Sequence, residues 1–221
     1  MQINRMPQKT WQPEGTVYGT LLNFRREWDF RAPRMSDEPH KAPPKAPVLY
    51  VKSANTFNPA GHDLLLEDGI KEVDVGGTLG LVMGEGGQVS AGALLCDWSV
   101  PHMSYYRPPI KFRCRDGYLA LPLQTTACQR LSDWDELEIE VRLNDAVVQR
   151  VRLSSMVRDA ATLLADVSEF MSLQPGDVLM LGVSAGAPRV KAGQEVAIVI
   201  EGLGRLVNHF VAETGKQGAA A

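Results

Sequence analysis

With 221 residues, of which 44% are hydrophobic and 22% charged, the chain has the composition of a globular protein and enough length for a substantial core. Its formal net charge of −3 argues against a broad basic face, so nucleic acids and membranes are not expected as partners. The three cysteines, Cys96, Cys114 and Cys128, suit neither a disulfide framework nor a zinc site, and this usage indicates a reducing cytoplasm.

The chain begins with a predicted N-terminal arm over 1–14 and then a strand over 15–24, which mixes β-branched and aromatic residues. A charged run from residue 25 to residue 47 follows, and its prolines predict an extended or irregular conformation rather than a helix. Because this run is long for a simple connection, we expect a flexible segment or functional lid over 29–47. A short buried strand is predicted over 48–52.

Glycine residues punctuate the middle of the chain. Gly76-Gly77 predicts a turn before an apolar strand over 79–83, and the glycines of 84–87 predict a tight turn, because the context of a nucleotide-binding loop is missing. Residues 96–117 then combine three prolines with crowded charged and aromatic side chains, which predicts a shaped loop that displays binding groups. Its cations indicate a substrate that carries carboxylates, and a surface ion-pair cluster is the alternative.

The C-terminal half predicts a hairpin, a helix and further strands. Residues 137–143 and 147–153 alternate apolar with charged side chains around Asn144-Asp145-Ala146, which is a hairpin pattern. One long helix is predicted over 155–170, capped by Ser154 or Ser155. Three strands separated by glycine turns complete the domain, over 177–181, 195–200 and 204–211. This pattern predicts an α+β fold that is predominantly β, with one domain over 15–213 and a disordered tail over 214–221.

The segment Gly182-Val183-Ser184-Ala185-Gly186 matches G-x-S-x-G, the nucleophile elbow of hydrolases. That motif needs a helix directly after the serine, followed along the chain by an acid and a histidine. A loop follows Ser184 here, and the remaining sequence contains no aspartate, so a turn at the end of a strand explains the motif better. The four histidines form no metal-binding spacing.

Several motifs taken together resemble the fumarylacetoacetate hydrolase family, and the likeness extends from about residue 15 to residue 211. The motifs are YVKSANTFN at 50–58, VGGTLGLVMG at 75–84, LCDWS…YYRP…RCRDG within 95–117, SEFMSLQPGDVLMLG at 168–182 and EGLGRLVN at 201–208. The resemblance implies a mixed β-roll with one long helix. The YYRP…CRDG spelling is most similar to the N-terminal half, or separate N-terminal subunit, of isomerase/decarboxylases that break down homoprotocatechuate (4-hydroxyphenylacetate).

That resemblance implies decarboxylation of 5-oxopent-3-ene-1,2,5-tricarboxylate and isomerisation of the resulting 2-hydroxyhepta-2,4-diene-1,7-dioate. The implied partner is a homologous subunit of the C-terminal type or a second copy of this chain. A catalytically silent partner that stabilises a metal-bearing homologue is the alternative. A hydrolase of the same family that acts on another acylpyruvate is a third possibility.

The resemblance also implies a divalent ion, Mg²⁺ or Mn²⁺, held by an E-x-E pair and an aspartate. Asp97 stands at the aspartate position, whereas Gly76 and Thr78 stand where the family has its two glutamates. Asp97 is therefore the only retained ligand, and the resemblance implies an incomplete metal site.

Three residues are implied to act in the reaction: Asp97 near any metal, Arg113 at the position of a family lysine, and Glu27 on the lid as a proton carrier. Arginine keeps the charge of lysine but does not carry protons near neutral pH. The expected substrate-binding residues are Asn23, Arg107, Lys111, Arg115 and Asp116. Decarboxylation needs an electron sink but no strong base, so a cationic pocket would suffice for that step.

Overall fold

The computed structural model describes residues 10–102 and 110–212, and most of its regular structure is β-strand. The strands are β1 (Val17–Leu21), β2 (Val48–Lys52), β3 (Phe57–Asn58), β4 (Leu64–Leu66), β5 (Val73–Met83), β6 (Val89–Ser99), β7 (Leu119–Ala120), β8 (Thr126–Ala127), β9 (Glu138–Leu143), β10 (Ala146–Arg152), β11 (Val178–Met180), β12 (Arg189–Val190), β13 (Glu195–Ile200) and β14 (Gly204–Ala212). The α-helices are α1 (Arg25–Arg31), α2 (Ile110–Arg113) and α3 (Ala160–Ser168). None of the described helices is long and apolar enough to cross a membrane.

The strands form two sheets. The larger has the order β2-β1-β11-β5-β6-β7-β3, with β12 beside β5 and β8 beside β6, and the smaller has the order β10-β9-β13-β14-β4. Parallel pairs, β1 with β11, β3 with β7 and β4 with β14, lie among antiparallel ones. The predicted α+β, predominantly β fold is therefore confirmed.

The alternation of side chains along β5 and β6 determines which residues face the core between the sheets. Trp98 of β6 is fully buried there and packs edge to face on Phe210 of β14, with the ring centroids 4.8 Å apart. Leu95, on the opposite face of β6, belongs to a second apolar cluster with Val17 and Tyr50. Asp97 shares the face of Leu95. Its side chain therefore points away from the core between the two sheets and contacts Tyr50 and Lys52 of β2.

Several local predictions are confirmed. The hairpin of β9 and β10 turns at Asn144 and Asp145, whose positive φ angles of 47° and 66° suit a tight turn between twisted strands. The strands β2 and β13 begin and end at the predicted residues, and β11 and β14 lie within one or two residues of the predicted bounds. The glycines of 84–87 form the predicted turn, with a 3₁₀ segment at Glu85–Gly87.

The prediction of irregular structure after β1 is wrong for its first part, because residues 25–31 form α1. The prolines that argued against a helix begin only at Pro33, which lies in the first turn of a 3₁₀ segment, Ala32–Arg34, where its missing N–H is tolerated. Residues 35–47 contain turns and bends without helix or strand, as expected.

The predicted turn at Gly76-Gly77 is also wrong, because both glycines lie inside the continuous strand β5. A Cβ atom on Gly77 would lie 3.0 Å from a methyl carbon of Ile139 and 3.2 Å from one of Ile198. Glycine marks close packing of the two sheets here rather than a reversal of the chain.

Residues 96–117 do not form the single loop that was expected. Residues 96–99 complete strand β6, so Asp97 lies on a central strand, and residues 110–113 form α2. The intervening residues 103–109, which include Arg107, lie outside the described residues.

The long helix is shorter than predicted and has a different cap. It is α3, and the Asp159 side chain accepts a hydrogen bond from the Thr162 amide at 2.7 Å. Ser155 instead belongs to a 3₁₀ segment, and its hydroxyl donates to the Arg152 carbonyl oxygen at 2.6 Å.

Candidate active site

A cavity of about 260 Å³ lies on the face of the larger sheet that carries Asp97. Its walls come from β1, α1, β2, β5, β6, the end of α2 and the loop 183–187. The ionisable residues that line it are Glu27, Arg31, Asp74, Asp97, His102, Arg113 and Arg189, together with Tyr50. The three residues expected to act in the reaction, Asp97, Arg113 and Glu27, are therefore brought together.

The carboxylate of Asp97 is the centre of a buried ionic cluster. Its Oδ1 accepts a hydrogen bond from Lys52 Nζ at 2.7 Å, and its Oδ2 accepts one from Arg113 Nη1 at 2.5 Å. Burial alone would raise the pKa of Asp97, but the charges of Lys52 and Arg113 outweigh this effect and lower that pKa. Asp97 is therefore ionised and bound on both oxygens.

Tyr50 completes the cluster, since its hydroxyl also donates to Asp97 Oδ2. Burial and the neighbouring Asp97 raise the pKa of Tyr50 well above its usual value, so the hydroxyl keeps its proton. Gly19 lies directly opposite Tyr50 in the β1–β2 register, and any side chain there would overlap the tyrosine ring. The absence of a Cβ in β1 thus makes the space for this ring.

Lys52 is the residue that sequence reasoning missed. Its side chain is completely buried, and Nζ donates to Asp97 Oδ1, to the Arg113 carbonyl oxygen at 2.5 Å and to the Tyr118 carbonyl oxygen at 2.6 Å. An ammonium group has three N–H donors, so each one has an acceptor. Two features of the sequence could have identified Lys52. It is a charged residue at the end of a strand predicted to be buried, and it belongs to the family motif at 50–58.

Arg113, the last residue of α2, lies at the cavity wall with 13% of its side chain exposed. Its Nη1 also donates to the Tyr50 hydroxyl oxygen at 3.2 Å, and its guanidinium carbon lies 4.8 Å from the centre of the Tyr50 ring. Burial opposes the charge of Arg113, but the acidic groups around it raise its pKa overall, so it is a permanent cation.

Glu27 projects from α1 into the same cavity. Its Oε2 accepts a hydrogen bond from the Leu22 amide at 2.9 Å, and its Oε1 lies 3.5 Å from Arg31 Nε. Burial raises the pKa of Glu27 and outweighs the opposing effects of Arg31 and Arg113. A buried carboxyl with a raised pKa at a cavity wall has the properties of a group that gives or takes a proton.

The raised pKa of Glu27 predicts a pH-dependent stability. A carboxyl whose pKa is higher in the folded than in the unfolded state contributes its full stabilisation at pH values below the unfolded pKa, near 4.5. This contribution is lost as the pH rises through the pKa of the folded state. We expect the free energy of unfolding of the wild type, relative to that of Glu27→Gln, to fall between pH 4.5 and pH 7.5. Urea denaturation of both proteins across this range measures it. The exposed Glu85→Gln should show no such trend, and a constant or rising difference for Glu27→Gln would contradict the expectation.

The expected substrate-binding residues that the structure describes do not line this cavity. The buried Asn23 bonds only to backbone, since Nδ2 donates to the Leu181 carbonyl oxygen at 2.9 Å and Oδ1 accepts from the Arg158 amide at 3.1 Å. Arg115 pairs with Glu67, with 3.0 Å between Arg115 Nε and Glu67 Oε1.

Asp116 accepts a hydrogen bond from Asn55 Nδ2 at 2.7 Å, and Lys111 is exposed on α2. Neither residue lines the cavity. Arg107, the fifth expected substrate-binding residue, lies outside the described residues.

Other residues that line the cavity were not predicted from the sequence as site residues. His102 Nδ1 lies 3.2 Å from the Ser99 hydroxyl and 2.8 Å from the Val100 carbonyl oxygen, and its ring stacks on Phe112. Burial raises the pKa of Asp74, which lies 3.2 Å from Arg189 Nε. Period-two alternation along β5 and β6 was the signal that could have placed Asp74 and Ser99 beside Asp97.

The residues at this site do not fit a divalent metal ion. Gly76 faces Asp97 in the β5–β6 register, and a Cβ there would lie 2.5 Å from the Asp97 carbonyl oxygen and 2.8 Å from a methyl carbon of Val183. Thr78 is fully buried, and its hydroxyl has no hydrogen-bond partner among the described residues. Within the described chain, no group of three or more His, Cys, Asp or Glu side chains is arranged to hold a metal.

The chain is similar to known proteins in both sequence and structure. Residues 16–211 match the family model described as fumarylacetoacetate (FAA) hydrolase C-terminal. The chain is 35% identical, over 90% of its length, to the 4-hydroxyphenylacetate degradation bifunctional isomerase/decarboxylase of Salmonella dublin, and 33% identical to that of Escherichia coli. The match covers 48% of each of these proteins, so the chain spans about half the length of these relatives.

Solved structures show the same fold at lower identity. Fumarylpyruvate hydrolase from Pseudomonas aeruginosa, in complex with Mn²⁺ and pyruvate, superposes with a TM-score of 0.74 at 21% identity, over 90% of both chains. The 2-hydroxyhepta-2,4-diene-1,7-dioate isomerase from Mycobacterium marinum gives a TM-score of 0.70 at 21% identity, over 90% of this chain and 75% of that one. The predicted mixed β-roll is confirmed by these structures.

Proposed function

Because the chain belongs to the fumarylacetoacetate hydrolase family, we propose that it is a subunit of an isomerase/decarboxylase in the breakdown of 4-hydroxyphenylacetate. The observation that carries the proposal is the 35% identity over 90% of the chain to one half of the Salmonella dublin protein of that name. The cavity supports it, since a cation suited to an acidic substrate, Arg113, lies there with the two other residues expected to act, Asp97 and Glu27.

The proposed substrate is 5-oxopent-3-ene-1,2,5-tricarboxylate. In its decarboxylation the bond between C2 and the carboxylate carbon breaks, CO₂ leaves, and the electron pair moves through the double bond onto the 5-oxo oxygen. Protonation of that oxygen gives 2-hydroxyhepta-2,4-diene-1,7-dioate, and the isomerase reaction then moves a proton along the diene. Negative charge therefore develops on an oxygen, where a fixed cation stabilises it.

Three residues at the cavity have roles in this proposal. Arg113 binds the 2-oxo carboxylate and faces the developing charge, and Asp97 holds Arg113 in position. Glu27 carries the proton that the oxygen takes up, since burial favours its protonated form. Arg107 is a further proposed carboxylate-binding residue. We expect the chain to act in the cytoplasm, and its three cysteines are free thiols.

The partner in this proposal is a homologous subunit of the C-terminal type, or a second copy of this chain. The relatives named above are about twice as long, because the match covers 48% of each. A protein with one such domain would form a comparable two-domain unit by pairing with another chain. The second candidate function is a silent structural partner of an active homologue, and the filled space at Gly76 favours it.

Release of CO₂ from the tricarboxylate tests the two functions. The chain is assayed alone, and then as a complex with a homologous subunit that carries both glutamates, before and after Arg113→Ala. We expect decarboxylation that falls at least about 10-fold in the variant, because one charge-assisted contact to the substrate is lost. The exposed Arg130→Ala should leave the rate unchanged. An inactive chain whose complex decarboxylates equally well with Arg113→Ala would establish the silent partner instead.

A further inference from the structure

The buried ionic cluster at the cavity carries more positive charge than its one carboxylate can neutralise. Lys52 and Arg113 contribute two cations against the single anion of Asp97, which leaves one positive charge on this buried cluster. Tyr50 adds no charge, because its hydroxyl keeps its proton. A desolvated cluster with an excess positive charge attracts an anion and repels a metal cation.

The two cations differ in the donors that they leave for a ligand. All three N–H donors of Lys52 bind acceptors of the protein, so Lys52 serves only to fix its neighbours. The guanidinium group of Arg113 has five N–H donors, and its hydrogen bonds within the described residues all come from Nη1. Its Nε is buried, and no atom of the described residues accepts a hydrogen bond from it. Arg113 therefore lies at the cavity with donors to spare.

The part of the cavity wall formed by Gly76 and Val183 carries no negative charge. Gly76 has no side chain, and the methyl groups of Val183 fill the space where one would begin. Both residues line the cavity with Asp97. Glycine and valine add neither a ligand nor a charge. The two other carboxylates at the cavity, Asp74 and Glu27, each have an arginine beside them, at 3.2 Å from Arg189 and 3.5 Å from Arg31 respectively.

We propose that Arg113, fixed by Asp97 and Lys52, takes the electrostatic place of the divalent metal ion, so that the cavity binds a 2-oxo carboxylate anion without metal. The planar guanidinium group can donate two parallel hydrogen bonds to the carboxylate and the adjacent oxygen of such a ligand. This inference deepens the proposed function and rests on it for the class of substrate.

Binding of oxalate, a planar mimic of a 2-oxo acid enolate, provides the test. Calorimetric titrations in buffer with EDTA should show binding by the wild type, and Mn²⁺ in place of EDTA should leave the Kd unchanged. Electron paramagnetic resonance should detect only free Mn²⁺ in the presence of the protein. Arg113→Ala should weaken oxalate binding by about 30-fold, whereas the matched surface variant Arg130→Ala should bind as the wild type does.

A second variant covers the case in which Arg113→Ala does not fold. Arg113→Lys keeps a cation beside Asp97 but loses the forked geometry, so it should fold and bind oxalate about 10-fold more weakly. Oxalate binding that requires Mn²⁺, or an unchanged Kd in Arg113→Lys, would overturn the inference. Metal-free binding of oxalate without any release of CO₂ from the tricarboxylate would uphold it while refuting the proposed reaction.

Discussion

Replacing Lys52 by methionine should lower the free energy of unfolding by about 3–5 kcal/mol, a large part of the stability of an ordinary domain. The substitution keeps an unbranched side chain one atom shorter than lysine and removes the charge that faces Asp97. It also leaves the carbonyl oxygens of Arg113 and Tyr118 without their ammonium donor in a buried site. An unpaired buried acceptor loses its interaction with water and gains nothing in return.

Urea denaturation at pH 7, followed by tryptophan fluorescence, measures this loss. Lys191→Met is the matched control, since that side chain is exposed, and its effect should be close to zero. Lys52→Met combined with Asp97→Asn should cost less than the sum of the two single changes, because both single changes break the same Lys52–Asp97 pair. A loss below about 1 kcal/mol in Lys52→Met would show that the cluster contributes little to stability.

Restoring both family glutamates, in Gly76→Glu with Thr78→Glu, should cost about 3 kcal/mol of stability and still not create a metal site. A Cβ on residue 76 would lie within 2.8 Å of Val183 and 2.5 Å of the Asp97 carbonyl oxygen. The oxygens of Asp97 would also remain bound to Lys52 and Arg113.

Denaturation of the double variant and a Mn²⁺ titration followed by electron paramagnetic resonance measure the two effects. Thr78→Val is the control for burial at this position. It should change stability by less than about 1 kcal/mol, because the Thr78 hydroxyl has no partner to lose in the part of the chain that the structure describes. A folded double variant that binds Mn²⁺ tightly would mean that two missing carboxylates are the whole difference from a metal-binding site.

The elements that could be predicted from the sequence are those whose pattern is local. The β9–β10 hairpin has two-residue alternation on both sides of Asn144 and Asp145, so its register follows from nearby residues. Helix α1 lacks such a pattern, and the prolines that argued against it lie beyond its end. Gly76 and Gly77 suggested a turn because the close approach of Ile139 and Val183 comes from distant parts of the chain.

The site residues likewise fall into those that could be predicted from the sequence and those that could not. The family resemblance located Asp97, Arg113 and Glu27, and the structure brings them to one cavity. Arg115 and Asp116 follow Arg113 closely in sequence, but they bind Glu67 and Asn55 instead, which no neighbouring residue indicates. Proximity along the chain was therefore a poor guide to which cations face the cavity.

The burial of Lys52 also bears on how the cavity can adapt to different substrates. Its ammonium group joins β2 to β6 and to both ends of the segment from Arg113 to Tyr118. The position of Arg113 is thereby preorganised, and moving it would require breaking the ionic cluster as a whole. Discrimination between substrates of different length consequently falls to other parts of the cavity wall. The short helix α1 contributes Phe30 to that wall, and the ring of Phe30 is exposed, so its side chain can change position without disturbing the ionic cluster.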